Sequence, residues 1–189
     1  MARLPILEYP DERLRTPAAP VTVFDAALGS LIDDLVETLH ATTGIGLCAP
    51  QTGELRRVLV MDLSGDGSAP QAYVNPEILS RSGLAIVEES CLSLPGVAAK
   101  VFRSARVRVR ASDRTGRSFE RDLEGMHAVC LQHESDHLDG KLFTDRLSAL
   151  RRLRFRTALA ALERKASRSA RSREAAGVRA TPDPRQAVR

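Results

Sequence analysis

The sequence predicts an α+β fold in which a mainly antiparallel sheet packs around a central helix. Three observations support this prediction: leucines at helical spacing in residues 28–39, a strict two-residue alternation in residues 106–110, and a second helical stretch in residues 124–138. Because the strands follow one another instead of alternating with helices, an antiparallel sheet is favoured. With 189 residues, 43% of them hydrophobic, the chain suffices for one globular domain with its own core.

The first helix is predicted to begin after Asp25, which is a good N-cap, and to run to about His40. One face of this helix is apolar and is expected to be buried, because residues at i, i+3 and i+4 share a helix face. The apolar positions are Leu28, Leu31, Ile32, Leu35 and Leu39. Residues 42–46, with two glycines, end the helix, and residues 10–13 indicate a turn or a short helix.

Strands are predicted after residue 57, where the apolar period changes. In residues 106–110 valines alternate with arginines, as in a strand with one buried face. A hairpin turn at residues 114–117 leads into a further strand at 118–123. Three more short strands are predicted at residues 58–63, 72–74 and 84–87.

The C-terminal part is predicted to hold two more helices, at residues 124–138 and 148–166, followed by a tail. From residue 167 onward Ser, Arg, Ala and Pro follow one another without periodicity, so a disordered segment is expected there. The predicted organisation is one domain over residues 1–166, including the C-terminal helix, and a basic tail over residues 167–189.

Charge is unevenly distributed along the chain. Residues 1–150 hold 16 basic and 21 acidic residues, a net charge of −5, whereas residues 151–189 hold 12 basic and 3 acidic residues, a net charge of +9. A basic end of this kind is usually a solvated segment, and in some proteins it is attracted to nucleic acid.

The composition argues against membrane and secreted proteins. No segment approaches the roughly 20 apolar residues that a membrane span needs, and acidic residues 11–12 interrupt the N-terminal stretch before a signal peptide forms. Cys48, Cys91 and Cys130 are an odd and widely spaced set, which does not fit a secreted disulfide framework. A cytoplasmic protein with no membrane partner is therefore expected. We also expect a monomer.

The motif H-E-x-x-H occurs in residues 132–137, within the second long predicted helix. Positions i and i+4 lie on one helix face, so His133 and His137 can hold one metal ion, and Glu134 can act on a water molecule beside it. The alternative is an exposed helix face that carries ordinary polar residues. The functional interpretation makes the central helix of the fold a metal-binding helix.

A catalytic metal needs a third protein ligand, and the sequence offers three candidates. Cys130 lies one turn before His133, where its short side chain would not reach the ion. Glu163 stands beside basic residues, which favours a solvated ion pair. Cys91 comes from a different element, at the end of a predicted strand, and is the best candidate. No histidine follows His137, which excludes the metzincin pattern with a third histidine downstream.

Residues 44–51, with the sequence G-I-G-L-C-A-P-Q, form a third notable segment. The two glycines permit a close approach of the backbone to a ligand, and Gln51 offers an amide donor. A helix C-cap followed by a loop would explain the same glycines.

These three segments, in this order, resemble the peptide deformylase family. Its patterns G-x-G-L-A-A-x-Q, E-G-C-L-S and Q-H-E-x-D-H-L correspond here to residues 44–51, 89–93 and 132–138, and the likeness covers about residues 4–165. The resemblance implies a metal-dependent hydrolase that removes the formyl group from the N-terminal formyl-methionine of nascent polypeptides. Residues 1–166 would then be the catalytic domain.

The resemblance also implies roles for individual residues. Cys91, His133 and His137 would bind one divalent metal ion, with Fe²⁺ expected first and Zn²⁺, Ni²⁺ or Co²⁺ as substitutes. Metal-bound hydroxide would attack the formyl carbon, with Glu134 as general acid/base. Gln51 and the backbone N–H of Leu92 would stabilise the oxyanion.

Substrate binding is implied for a further set of residues. Ile45 and Gly46 would bind the peptide backbone by β-type hydrogen bonds, and the Ser90 carbonyl would hold the substrate. An apolar pocket for the methionine side chain would include Ile45, Val87, Leu92, Met126, Val129 and Cys130. With Leu92 counted among the catalytic residues, the implied substrate-binding residues are Gly44, Ile45, Gly46, Val87, Ser90, Met126, Val129 and Cys130.

Two positions depart from the family pattern. Cys48 replaces the first alanine of the A-A pair, which puts an oxidisable thiol near the site. Ser90 replaces the glycine before the ligand cysteine. If that position requires a positive φ, serine costs about 1 kcal/mol there.

Three further hypotheses remain open at this point. The Arg-rich stretch 151–173 is expected to bind ribosomal RNA, because formyl groups are removed while the chain leaves the ribosome; a solvated helix without a partner is the alternative. A metalloprotease that uses His133, His137 and Glu163 is one rival function. A non-enzymatic metal-binding or RNA-binding protein is the other.

Overall fold

In the computed structural model, which describes residues 2–175, the chain forms an α+β fold as predicted. The described helices are α1 (Ala26–His40), α2 (Gly125–Leu138), α3 (Ala149–Leu153) and α4 (Arg156–Ala175), with short 3₁₀ turns at Glu12–Arg15, Ala49–Thr52 and Phe143–Arg146. The described strands are β1 (Gly46–Cys48), β2 (Val58–Met61), β3 (Gln71–Ser82), β4 (Ala85–Ser90), β5 (Ala98–Arg103), β6 (Arg106–Ser112) and β7 (Ser118–Glu124).

The strands form two antiparallel sheets. One has five strands in the order β1-β2-β3-β6-β7, and the other is the hairpin of β4 and β5. Val109 of β6 faces the core and pairs with Arg121 of β7, as the alternation and the hairpin turn predict. Asp25 caps α1 by accepting a hydrogen bond from the N–H of Leu28, which also agrees with the sequence.

The five-stranded sheet lies between α1 and α2. Successive residues of β2 face opposite sides: Leu59 and Met61 join the core cluster that contains α2, whereas Val58 and Val60 join the cluster that contains α1. Helix α2 is therefore the central helix of the fold. Among the described helices, none is both long and apolar enough to cross a membrane.

A third core cluster lies around the β4–β5 hairpin. It contains Cys91 and Phe143, both buried, together with residues from near the N-terminus such as Leu14. Helix α4 packs against it with Leu159 and Leu162. The segment that follows β4 is thus enclosed by parts of the chain that are distant in sequence.

The predicted third helix is the largest correction to the sequence-based fold. Instead of one helix over 148–166, the structure has α3 and α4, separated at residues 154–155. Leu153 and Leu159 are six residues apart, which is roughly 240° around a continuous helix, so they could not share one buried face. Leu153 is in fact exposed, whereas Leu159 packs on the third cluster.

Helix α4 also crosses the predicted domain boundary at residue 166. Residues 167–175 are helical and not irregular, because alanine and arginine are strong helix formers and an amphipathic pattern is not needed to extend an existing helix. The rest of the predicted tail, residues 176–189, lies outside the described residues. The strands β1 and β5 have no counterpart in the sequence-based prediction.

Candidate metal centre and active site

Helix α2 and the end of β4 bring three metal-binding side chains together. His133 and His137 lie one turn apart on the inner face of α2, and Cys91 directly follows the last residue of β4. The ligand atoms of Cys91, His133 and His137 all lie within 4.8 Å of one another. Cys91 Sγ lies 3.2 Å from His137 Nε2. The predicted set of metal ligands is therefore assembled in space.

The other two candidates for the third ligand lie elsewhere. The Cys130 thiol points to the carbonyl of Ile45, at 3.6 Å, and burial together with the charge of Glu134 raises its pKa well above the ordinary value. Glu163 lies on α4 and accepts a hydrogen bond from the hydroxyl of Tyr9, at 2.8 Å. Neither residue belongs to the group that could hold an ion among residues 2–175.

The chemical state of the donors suits a divalent cation. Burial raises the pKa of Cys91, but the charges and hydrogen bonds of the two imidazoles outweigh it and lower that pKa to about 5. His133 Nδ1 lies 2.8 Å from Glu89 Oε2. Burial also raises the pKa of Glu89, but the hydrogen bonds to Arg103 and His133 outweigh burial and lower this pKa to about 2. Because an ionised carboxylate only accepts hydrogen bonds, Nδ1 carries the proton and Nε2 is the atom left for a metal.

The two histidines are held differently. Burial lowers the pKa of His133, but the hydrogen bonds to Cys91 and Glu89 outweigh this and raise it well above the ordinary value, so a metal ion would displace a proton. His137 Nδ1 is buried without a hydrogen-bond partner in the described part of the chain. The His137 ring makes an edge contact with His133, with ring centroids 5.1 Å apart.

Glu134 is a buried carboxylate beside the metal-binding group. It is 4% exposed, and its Oε2 has no hydrogen-bond partner among the described residues. Burial raises its pKa, although the charges of His133 and His137 oppose the shift. A raised pKa makes a carboxylate better suited to take up a proton and pass it on.

Gln51 is oriented by its own turn. Its Oε1 accepts a hydrogen bond from the backbone N–H of Cys48, at 3.0 Å. The amide nitrogen Nε2 therefore points away from Cys48 N. There Nε2 lies 3.3 Å from Ser93 Oγ and 3.7 Å from Cys91 Sγ. The predicted amide donor therefore points to the metal-binding group, and Ser93 is a partner that the sequence analysis did not identify.

The glycines at positions 44 and 46 lie beyond the end of α1 and in close contact with side chains of the chain itself. Helix α1 already ends at His40. A Cβ atom at Gly46 would lie 2.6 Å from Cys130 Sγ and 2.8 Å from Glu134 Oε1. At Gly44 it would lie 3.1 Å from Leu92 Cδ1. The C-cap interpretation is therefore wrong, and the approach of this backbone to a ligand stays a prediction.

The remaining predicted substrate-binding residues lie on β4, on α2 and just before β1. Val87 and Ser90 belong to β4, where they pair with Val101 and Ala98. Helix α2 carries Met126, which is 49% exposed, and the buried pair Val129 and Cys130. Ile45 is 37% exposed. An apolar surface open to solvent and a buried apolar wall are therefore both present.

The expected strain at Ser90 is absent. Among the described residues the only one other than glycine with positive φ is Asn75. Ser90 lies in regular antiparallel pairing at the end of β4. The replacement of glycine by serine therefore costs no backbone strain at this position.

A line of buried charges behind His133 was not found by the sequence analysis. Glu89, Arg103 and Asp136 are each buried, and Arg146 binds Asp136 from the 3₁₀ turn Phe143–Arg146. In addition, the ring of Phe143 stacks against His133, with centroids 6.2 Å apart. No local sequence signal marks this line, because Arg103 lies on the unpredicted strand β5 and its partners are 14 and 33 residues away.

Comparisons with known proteins give one consistent family. The family described as polypeptide deformylase matches residues 3–153. A peptide deformylase of Alkalilimnicola ehrlichii is 53% identical over 165 residues, which are 87% of this chain and 93% of the relative. A peptide deformylase of Chromobacterium violaceum is 50% identical over 159 residues, which are 84% of this chain and 95% of the relative.

Solved structures agree with the sequence comparison. The crystal structure of a peptide deformylase from Legionella pneumophila has a TM-score of 0.81 and 47% identity, covering 88% of this chain and 99% of that chain. A plant peptide deformylase has a TM-score of 0.83 and 37% identity, covering 96% of this chain and 95% of that chain.

Proposed function

The chain belongs to the polypeptide deformylase family of hydrolases, which remove the N-terminal formyl group from polypeptides, and we propose that it acts on nascent N-formyl-methionyl chains with one divalent metal ion held by Cys91, His133 and His137. The observation that carries this proposal is the convergence of the three ligand atoms within 4.8 Å. The unpartnered carboxylate oxygen of Glu134 beside them supports it further.

The donor set fits the proposed ion. One thiolate and two imidazoles suit Fe²⁺, which we propose as the natural metal, and equally Zn²⁺, Ni²⁺ or Co²⁺. When bound, such an ion supplies Lewis acidity that polarises the formyl group and makes a water molecule nucleophilic near neutral pH. The low pKa of Cys91 favours the ligating thiolate.

The residues of the chain would then move the proton and hold the developing charge. Glu134 takes the proton of the attacking water and passes it to the leaving amine, which its raised pKa supports. Gln51 Nε2 and the backbone N–H of Leu92 donate to the formyl oxygen as it gains charge. Each such donor contributes about 3–4 kcal/mol to transition-state stabilisation in comparable sites.

Substrate would bind along the free edge of β4 and the segment 44–46. Ile45 and Gly46 bind the peptide backbone together with the Ser90 carbonyl, and the exposed side chain of Met126 forms part of the methionine pocket. The close packing of Gly46 on Glu134 keeps this backbone next to the reacting groups. Gly44, Val87, Val129 and Cys130 complete the proposed pocket.

The deciding experiment is formate release from a formyl-Met peptide by anaerobically prepared, Fe²⁺-loaded enzyme. Release with retention of the peptide bond supports the proposal. Cleavage of an internal peptide bond would instead support the metalloprotease, and stable metal binding without formate release would support a non-enzymatic role. An acetyl-Met peptide serves as the control substrate, because it differs from the formyl peptide only at the acyl group.

We further propose that α4 docks on ribosomal RNA, which would place the enzyme where formylated chains emerge. Its apolar residues Leu159 and Leu162, together with Phe155 just before the helix, pack against the third cluster. Arg164 and Arg168 are exposed and free to meet phosphate. Binding dominated by phosphate contacts weakens steeply as salt increases.

Charge reversal tests this docking better than truncation, because residues 155–162 complete the cluster around Cys91. The double variant Arg164→Glu/Arg168→Glu should lose co-sedimentation with ribosomes at low salt and keep deformylation of a free peptide. The matched control is Arg81→Glu/Arg117→Glu, which reverses two exposed arginines away from α4. Equal co-sedimentation of the two variants would remove this role from α4.

The same proposal places a monomer in the cytoplasm, where nascent chains are made. The three cysteines Cys48, Cys91 and Cys130 are all free and buried, as expected for a reducing compartment. All proposed ligands and catalytic groups come from one chain, so a single copy has a complete site.

A further inference from the structure

Four charged side chains form a continuous line from the surface to the metal ligand His133. Arg146 binds Asp136, Asp136 binds Arg103, Arg103 binds Glu89, and Glu89 Oε2 lies 2.8 Å from His133 Nδ1. Arg103, Glu89 and Asp136 have side-chain exposures of 3%, 5% and 5%, whereas that of Arg146 is 46%. The line is electrically balanced, with two carboxylates and two guanidinium groups.

Each carboxylate shares one oxygen between two partners. Asp136 Oδ2 accepts from Arg103 at 2.6 Å and from Arg146 at 3.0 Å. Glu89 Oε2 accepts from Arg103 at 2.9 Å and also meets His133. Arg103 thus divides its donors between two acids, with two nitrogens on Glu89 and one on Asp136.

Loss of Arg146 would upset this division. The second oxygen of Asp136, Oδ1, is bound by Arg146, and a buried carboxylate oxygen left without a donor costs free energy. Asp136 would then draw Arg103 towards itself and away from Glu89 Oε2. That oxygen is the acceptor that fixes the ring orientation and tautomer of His133.

We propose that Arg146, which touches neither metal nor substrate, is a positioning residue that holds His133 in its metal-binding orientation through Asp136, Arg103 and Glu89. The inference rests on the proposed metal centre. It goes beyond that centre by assigning a role at the site to a half-exposed residue of the 3₁₀ turn that precedes α3. The same turn supplies Phe143, whose ring stacks on His133.

The test compares Arg146→Ala and Arg146→Lys with Arg15→Ala. Arg15 pairs with Asp145 of the same 3₁₀ turn and is 42% exposed, so its loss loosens the turn without touching the buried line. Each protein is loaded with Co²⁺, its visible absorption spectrum is recorded, and the rate of Co²⁺ loss to a chelator is measured without substrate. Arg146→Ala should shift the Co²⁺ bands and lose the ion roughly tenfold faster than the parent, because removing an outer partner of a metal ligand weakens metal affinity by about 10–100-fold.

Arg146→Lys keeps one charge but not the paired donors, so its rate should fall between those of the parent and Arg146→Ala. Arg15→Ala should match the parent. Identical spectra and rates for Arg146→Ala and Arg15→Ala would overturn the proposal. If Arg146→Ala does not fold, Arg146→Lys and Arg146→Gln test the proposal instead. Co²⁺ loss at the parent rate in both variants would also overturn it.

Failure of the Arg146 proposal can be distinguished from failure of the proposed function. A parent protein that binds no Co²⁺ removes the metal centre itself. A parent that binds Co²⁺ but releases no formate removes the deformylase proposal and leaves the spectroscopic comparison intact.

Discussion

Helices α2 and α4 place their polar residues in opposite environments. In α2 the polar residues Gln132, Glu134, Asp136 and His137 are buried, and most of them have specific partners. In α4 the apolar side chains pack on the body, and charged residues such as Arg164 face solvent.

The difference explains why one helix can be interpreted from its sequence and the other cannot. A buried polar side chain is retained only with a partner or an ion, so its identity restricts the chemistry around it. An exposed charge is compatible with any polar partner or with water alone. Function can therefore be inferred from the residues of α2, whereas the role of α4 needs a binding experiment.

The largest effect expected from this contrast is the loss of the metal. Cys91→Ala, His133→Ala and His137→Ala should each purify without a stoichiometric ion, because each removes one of the three proposed protein ligands. Cys130→Ala and Glu163→Ala should keep it. Elemental analysis of the purified variants measures this, and full metal retention by Cys91→Ala would contradict the assignment.

A second effect on α2 should leave the metal in place. Glu134→Gln keeps the shape of the side chain but cannot accept a proton, so turnover should fall by about 10²–10⁴-fold. Formate release is measured at matched metal content, with circular dichroism as the control for folding. Turnover within a few-fold of the parent would exclude Glu134 as the base.

Acid should destabilise the metal-free protein through the buried carboxylates behind α2. The pKa of Glu89 is about 2 in the folded chain against an ordinary value of 4.5, so its stabilisation is complete above pH 4.5 and is lost as the pH falls through 2. Between pH 5 and pH 3 this amounts to roughly 2 kcal/mol of the free energy of unfolding. Asp136, whose pKa is also lowered, acts in the same direction.

Urea unfolding at the two pH values measures this loss. Glu89→Gln cannot titrate at this position, so its stability should fall less steeply over the same interval. If the variant and the parent show the same difference between pH 5 and pH 3, the buried carboxylate is not the source of the acid lability.

The smallest effect is expected on α4. Lys165 Nζ lies 2.7 Å from Glu8 Oε2, and the two side chains are 61% and 42% exposed. Exposed ion pairs contribute less than about 1 kcal/mol, so Lys165→Ala should barely change the free energy of unfolding. A double-mutant cycle with Glu8→Ala measures the coupling free energy between the two side chains. A value well above about 1 kcal/mol would show that a charged residue of α4, like those of α2, has a specific stabilising partner.

Much of the fold could be predicted where local pattern and burial agree. The helix after Asp25, the alternating strand β6 and its hairpin with β7 all follow the sequence. Strand β5 was missed because its pattern is inverted: Arg103 points inward and Phe102 is 49% exposed. The partners that make a buried arginine acceptable come from β4 and α2, and local sequence does not reveal them.

The residues of the candidate site also differ in whether local sequence could predict them. The spacing of His133 and His137 on a helix is a local property, so the pair could be predicted. Cys91 is joined to them by the fold alone, and its choice over Cys130 rested on helix geometry that the structure agrees with. Arg146 carries no local signal, since its contribution passes through Asp136 and Arg103.

The third core cluster sets an order in time for the assembly of the site. Tyr9 and Glu163 are hydrogen-bonded across 154 positions, and at ordinary rates of translation that stretch takes roughly 8–30 s to synthesise. Cys91 lies in this cluster, which α4 completes. During its own synthesis the chain therefore lacks the residues that complete the cluster around Cys91 until α4 has been made.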